Sequence, residues 1–360
     1  VFSHRKDELI QKLFHKSVDF PLFMPIVWLL RVFSWMYLAI INIRLFLYEH
    51  GVLNRTKVDA TVISVGNITV GGTGKTPFVI FLAELLRDSG LNVATVSRGY
   101  KAESSDVIVV SDGTEVFTTS EECGDEPFLI ARKTSGIVVL ACKDRVKAAK
   151  FAVDNFHAQV IILDDAFQHL KIERDWDIVI LDATTPFGNG ELLPAGILRE
   201  PKSHLKRADL LILNKSHNRR NAKRLTEQLS EFVPKENIIR SVYEPEIQFA
   251  DKKILAVSAI GNPNYFHQLI KTQNANLMGK LTFPDHHDYT ADDKIRIERI
   301  ANQVNADLIL TTEKDWVKLE KFEDWSCPIM PLPIKIQLIE NGKVLALEPI
   351  IQEANRRIDR

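Results

Sequence analysis

At 360 residues, 45% hydrophobic and 26% charged, the chain has the composition of a folded globular protein and not of a disordered one. Its formal net charge of −1 carries no basic excess of the kind that marks nucleic-acid binding. Three scattered cysteines, Cys123, Cys142 and Cys327, form neither a C-x-x-C zinc pair nor a disulfide framework, which fits a reducing compartment for the main body.

The N-terminus is the compositional outlier. Residues 20–48 are dominated by Leu, Ile, Val, Phe, Trp and Met, after a polar lead-in at 6–16 that reads as helix. The late position of the apolar run, with no small-residue cleavage site, argues against a secretory signal peptide. Residues 26–47 reach the roughly 20-residue length of a bilayer crossing, with Arg31 and Arg44 toward the two ends, where they can snorkel. An in-plane anchor with Trp28, Trp35 and Tyr37 at the interface fits the same residues, and a buried core helix is a third alternative. The reading taken forward is membrane attachment, with spanning and lying flat both open.

From residue 60 onward a short β-branched run, a turn and a helical stretch recur. Strands are expected at 60–65, 93–97, 137–141, 160–163, 178–181, 210–213, 254–258 and 308–311, and helices between them at 77–89, 145–155, 220–232 and 291–304. Several strand runs are apolar throughout, as parallel strands covered on both faces require. Such alternation predicts an α/β chain with a doubly wound, mainly parallel sheet, whose ligands sit at the carboxyl ends of strands. Polar residues and Pro245 near 242–253 mark a division. The expected organisation is an anchor (1–50), a core (51–245) and a smaller C-terminal α/β lobe contributing to the site (246–360). The tail, at 334–338 and 344–347, reads as a hairpin turning at Asn341-Gly342.

The strongest local signal follows the first strand: Thr69-Val70-Gly71-Gly72-Thr73-Gly74-Lys75-Thr76. It fits the phosphate-loop pattern G-x-x-x-x-G-K-S/T except that Thr69 stands at the first glycine. The glycines let backbone N–H groups curl around phosphate oxygens, and the helix that starts at Thr76-Pro77 aims its free N–H groups at the anion. Lys75 is expected to reach the β- and γ-phosphates and Thr76 to hold Mg2+. The bland alternative is a Gly-rich turn capping a helix. With this loop the fold reads as P-loop NTPase-type, binding a nucleoside triphosphate.

A metal carboxylate belongs at the end of another core strand, and Asp164-Asp165 follow the run at 160–163, with Gln168 and His169 extending the polar edge. Asp182, after the run at 178–181, is a rival. In Gly124-Asp125-Glu126-Pro127, Asp125 reads equally as a helix cap and as a general base for an acceptor hydroxyl. Phe283-Pro284-Asp285-His286-His287-Asp288-Tyr289 looks like a metal site at first sight. Consecutive residues of an extended chain face opposite ways, however, so a histidine oriented for proton handling fits better. Asn214-Lys215-Ser216-His217 lacks the aspartate of a guanine-reading N-K-x-D. Thr311-Thr312-Glu313-Lys314-Asp315 reads either as nucleotide lining or as a polar turn. Arg98, after the second strand, and Arg199-Glu200-Pro201 place guanidinium groups near a site wall or simply on the surface.

In combination, the apolar N-terminus, VGNITVGGTGKTP, VSRGY, GDEP, DDAFQH, LLPAGILREP, FPDHHDY and TTEKD make the chain resemble the tetraacyldisaccharide 4′-kinase family, the lipid A 4′-kinases of Gram-negative bacteria. Family members usually have glycine where Ala166 stands. The resemblance implies ATP and Mg2+ as cofactors. It also implies transfer of the γ-phosphate to the 4′-hydroxyl of a membrane-embedded tetraacyldisaccharide 1-phosphate. By the same resemblance Asp125 pairs with His286, His287 being the alternative. Asp164, Asp165, Gln168 and His169 surround metal and acceptor, and Arg199 and Glu200 lie near phosphates or sugar. The implied location is the inner membrane, with the catalytic body on the cytoplasmic face and no obligate protein partner. The rival classes are a membrane-attached regulatory NTPase and a small-molecule ligase. The first wants a guanine motif or a cysteine metal pair, and the second has no use for an apolar anchor.

Overall fold

Fully apolar runs at the expected positions do become buried strands in a computed structural model of the chain, which describes residues 24–99, 106–339 and 347–358. In chain order, helix α1 (Met24–Glu49) precedes β1 (Thr61–Gly66), α2 (Lys75–Asp88), β2 (Val93–Ser97), β3 (Ile108–Ser111), and the short α3 (Ser120–Cys123). Then come α4 (Asp125–Lys133), β4 (Val138–Ala141), α5 (Arg145–Phe156), β5 (Val160–Asp164), β6 (Trp176–Asp182), β7 (Leu210–Asn214) and α6 (Arg219–Leu229). The C-terminal third carries β8 (Ile238–Pro245), β9 (Lys253–Ser258), α7 (Pro263–Thr272), β10 (Asn276–Thr282), α8 (Ala291–Gln303) and β11 (Leu308–Thr312). It ends with α9 (Glu313–Leu319), β12 (Ile329–Leu332), β13 (Ile334–Ile339) and α10 (Glu348–Ile358). The polar lead-in at 6–16 lies outside the described residues, as do the expected hairpin turn and most of its second arm.

The chain forms two compact units, each assembled from separate stretches: Val1–Lys75 with Gln159–Ser241 and Leu338–Arg360, and Thr76–Ala158 with Val242–Gln337. In the first unit β5, β1, β6, β7 and β8 run side by side and all parallel. Residues of β1, β5 and β7 are buried throughout, which is why their sequences read as unbroken apolar runs. Phe167, Val179, Leu181, Leu211, Leu213 and Leu225 form part of its core. Burying each such side chain is worth about 1.5–3 kcal/mol.

In the second unit β2 and β4 pair in parallel and β3 joins β4 antiparallel. A further sheet, ordered β10-β9-β11-β12, is parallel throughout. Its two faces are filled by distinct clusters, one around Leu255, Val257, Phe283 and Tyr289, the other around Ala256, Phe266, Ile270 and Leu310. Thr290 caps α8 through a reciprocal pairing with Asp293, which fixes where the preceding turn ends.

Helix α1 is long and apolar enough to cross a membrane by length and composition. It is not a core helix, for Trp28, Phe33, Trp35, Met36, Ile40 and Ile43 are exposed. Its other side is hydrogen-bonded along its length to residues 168–204 of the same unit. Ser34 Oγ donates to Leu192 O (2.9 Å), Tyr37 OH to Arg199 O (3.0 Å) and an Arg44 guanidinium nitrogen to Gln168 O (3.1 Å).

Candidate active site

The phosphate loop is shaped at both of its ends. Gly66, the last residue of β1, must be glycine, since a Cβ there would stand 2.6 Å from Cβ of Phe167. Strand β1 can therefore run directly beneath the Asp164–Phe167 turn. At Thr69 the backbone is not a free turn: it bridges Leu198, and Val70 N donates to Ile197 O at 2.8 Å. The glycine usual at that position is dispensable because this stretch is extended and paired. Gly74, with φ of 93°, makes the reversal just before α2 opens at Lys75.

Two residues of the Asn214–His217 run, which lacks a guanine-reading aspartate, hold this loop from behind. Asn214 Nδ2 donates to Thr73 O at 2.9 Å, and Lys215 Nζ donates to Gly72 O at 3.1 Å while ion-pairing with Asp182. Asn67 Nδ2 adds a bond to Thr73 Oγ1 at 3.1 Å. Asp182, whose carboxylate also accepts from Thr184, thus has a bracing place. The signal in the sequence was Asn-Lys at a strand end.

Asp164 is buried at the end of β5, and Asp165 next to it turns outward with φ of 50°. Asp165 accepts two 2.9 Å bonds from one guanidinium nitrogen of Arg199, and Lys75 Nζ lies 3.4 Å from its Oδ1. Burial pushes this carboxyl up, but the Lys75 and Arg199 charges outweigh burial and hold it below the usual carboxylate range. Gln168 Nε2 donates to Asn67 O (2.9 Å) and to Glu200 (3.0 Å). Glu200 is 3% exposed and also takes His204 Nδ1 at 2.7 Å and Arg207 at 2.6 Å, so it points into the unit's interior. His169 is half-buried, and its carbonyl accepts from Arg174. These groups all belong to the first unit. Arg98, in the second, is exposed directly after β2.

The second unit carries the other cluster. Gly124, not Asp125, occupies the cap of α4, so Asp125 is the first helical residue and its carboxylate is free for other use. That carboxylate is buried, with Lys318 Nζ 2.7 Å and His286 Nδ1 3.7 Å from Oδ2. The His286 contact is longer than a hydrogen bond and counts as an electrostatic pairing. Burial raises the Asp125 pKa, yet His286 and Lys318 together more than offset it, leaving the group below its ordinary value. On the far side of the ring, Lys314 Nζ stands 3.1 Å from His286 Nε2. An ammonium has only hydrogens to offer, so Nε2 is the acceptor and the proton of the neutral ring sits on Nδ1, facing Asp125.

The adjacent histidines have separate fates. His287 Nε2 bonds Asp293 at 2.9 Å and its ring stacks on Phe283, so His287 helps build the turn while His286 meets Asp125. In Thr312-Glu313-Lys314-Asp315, Thr312 caps α9, Asp315 is buried and accepts Ala259 N, and Glu313 takes Lys133. Only Lys314 of that run reaches the Asp125–His286 pair. Lys318 had no signal in the sequence. No group of three or more His, Cys, Asp or Glu among the described residues could hold a metal by itself. Asp164 and Asp165, at and just after the end of β5, are oxygen donors of the kind Mg2+ takes, one or two carboxylates beside substrate phosphates and water.

Strand, phosphate loop, helix and strand-end carboxylates define a phosphate-loop α/β protein of the nucleotide-dependent phosphotransferase class. The chain matches the tetraacyldisaccharide-1-P 4′-kinase family over residues 26–351. It is 37% identical to the tetraacyldisaccharide 4′-kinase of Halothermothrix orenii, across 87% of this chain and 89% of that one. With the Syntrophus aciditrophicus enzyme of the same name it shares 38% identity, across 87% and 90%. Among solved structures it resembles LpxK from Aquifex aeolicus in complex with ATP, with a TM-score of 0.70 at 33% identity, covering 89% of this chain and 97% of that one. The chain belongs to the tetraacyldisaccharide 4′-kinase family.

Proposed function

We propose that the chain transfers the γ-phosphate of ATP to the 4′-hydroxyl of a tetraacyldisaccharide 1-phosphate in lipid A biosynthesis. Family membership supports the acceptor and the lipid A setting. The observation in the molecule that carries the phosphate chemistry is the Lys75–Asp165–Arg199 cluster at the end of β5. Two cations beside one ionised carboxylate suit a site that must take up both a polyphosphate and a divalent ion.

In this reading the loop from Thr69 to Gly74 and Lys75 bind the triphosphate, Val70 to Thr73 contributing backbone N–H groups. Thr76 with Asp164 or Asp165 would hold Mg2+, which neutralises charge on the β- and γ-oxygens when bound. Arg199, paired with Asp165 in the structure, would supply a guanidinium to the phosphates. The 4′-oxygen attacks phosphorus, the bond to the bridging oxygen breaks, ADP leaves, and the hydroxyl proton passes to Asp125. A carboxylate of depressed pKa is a weak base, but a loose transition state asks little of the base until the new bond is nearly made. His286, protonated on Nδ1, orients that carboxylate. Gln168 and His169 face the acceptor side, Arg98 serves an acceptor phosphate, and Glu200 acts by bracing Gln168.

The body works at the cytoplasmic face of the inner membrane, where ATP is present, with the exposed tryptophans of α1 in the lipid. The bonds from Ser34 through Arg44 to residues 168–204 favour a helix lying along the surface. They span roughly 15 Å of helix, and a crossing would drag that body into hydrocarbon. Incubation with γ-labelled ATP and the disaccharide 1-phosphate lipid in vesicles should yield a lipid labelled at the 4′ position. Label appearing only in inorganic phosphate would sink the kinase reading.

A further inference from the structure

Lysine is almost never buried without a compelling partner. Lys318, in the last turn of α9, is 6% exposed and its ammonium meets three oxygens at bonding distance. One is Asp125 Oδ2 at 2.7 Å; the others are the carbonyls of His286 (3.3 Å) and His287 (3.2 Å). Asp288 Oδ1 lies slightly further out, at 3.7 Å. An ammonium has three hydrogens, and three near oxygens use them. Two of those oxygens belong to the turn in which His286 is held at a φ of 61°, an unfavourable conformation for a residue with a side chain. One cation therefore ties the start of α4 to the strained turn that presents His286. Lys314, one helical turn earlier on the same face, contacts the other nitrogen of the same imidazole.

We propose that Lys318 is a positioning residue for phosphate transfer: it holds the Asp125 carboxylate and the His286–His287 turn in one geometry before the acceptor arrives. This rests on the reading of Asp125 as the group that receives the acceptor proton. Lys318 needs no contact with substrate, because its hydrogens are committed to the protein. The charged and titratable groups facing Asp125 are Lys318 and Lys314 from α9 and His286 from the turn. Glu126 and Cys123 flank it in sequence, the thiol kept neutral by burial.

The test is steady-state kinetics of the full chain carrying Lys318→Met or Lys318→Arg, with ATP and the disaccharide 1-phosphate lipid, across the pH range and beside Asp125→Asn. For Lys318→Met we expect kcat to fall about 100-fold with both KM values within about threefold. The acid limb of kcat should move to higher pH, since Asp125 keeps its burial and loses its nearest cation. Lys318→Arg should restore the position of that limb and part of kcat. If Lys318→Met does not fold, Lys318→Gln, which retains donors for the carbonyls without the charge, carries the same expectation. Wild-type kcat in the Met variant overturns the inference, and so does a loss with an unmoved acid limb that arginine fails to repair. Full turnover in Asp125→Asn would instead overturn the base assignment itself, whatever Lys318 does.

Discussion

The phosphate side and the Asp125 side of this protein are built by opposite strategies. On the phosphate side, in the proposed reading, consecutive backbone serves the ligand: β1, a loop and the start of α2 would supply the N–H groups within one short stretch. Side chains from later strands, Asn214, Lys215 and Asp165, then fix that stretch. On the other side no stretch suffices. Asp125, His286, Lys314 and Lys318 come from three segments far apart in the chain and are joined by ion pairs and hydrogen bonds of their side chains. Phosphates are alike in every nucleotide and suit a repeating backbone cradle. A single proton acceptor must instead be tuned, and tuning needs particular side chains at particular distances.

Paired substitutions break this comparison most sharply. Lys75→Ala should lower transfer about 1,000-fold or more, because it removes a cation that meets charge on the phosphoryl group. Asp125→Asn should lower kcat about 100- to 1,000-fold while ATP affinity stays within about twofold. Isothermal titration with a non-hydrolysable ATP analogue separates the two: if Asp125→Asn also lost ATP binding, the division of labour would be wrong. A milder effect is expected for Asn214→Ala. Losing one buried bond to the loop costs about 1–1.5 kcal/mol, so KM for ATP should rise about tenfold with the acceptor KM unchanged. An unchanged ATP KM would show that the loop holds its shape without that brace.

The smallest effect is one of pH. Asp165 has a folded pKa below its unfolded one, so the stability it lends is complete above the ordinary carboxylate range, near pH 4, and lost as pH falls through the lowered folded value. Asp165→Asn should therefore flatten the acid side of the stability curve by about 1 kcal/mol in urea unfolding between about pH 3 and 7. A slope equal to the wild type's would mean that the Lys75–Asp165–Arg199 cluster adds nothing to folding.

Much of the framework was legible because burial leaves a mark on composition. The runs at 160–163 and 210–213 are apolar at every position, and each became an inner strand extended by one polar residue at its carboxyl end. Of the strands that escaped notice, β8 is buried at its first six positions but has its apolar run broken by Arg240 and Ser241, while β10 and β12 are marginal. Within its own sheet β10 lies at an edge, with alternating exposure and a register shift at Gly279, and β12 carries Pro331 at the opposite edge. Such strands need not be apolar, so hydrophobic pattern cannot find them.

Sequence by itself determined the phosphate loop, the strand-end carboxylates and the apolar character of α1, since each is a property of neighbouring residues. Tertiary structure decided the rest. It turned Asp125 from an apparent cap into a buried carboxylate, because Gly124 took the cap and α9 brought Lys318 against it. It separated His286 from His287 by giving one to Asp125 and the other to Asp293. It also gave α1 a bonded side and a bare side. Charge pairing between distant segments has no period and no motif, so only the folded chain could reveal it.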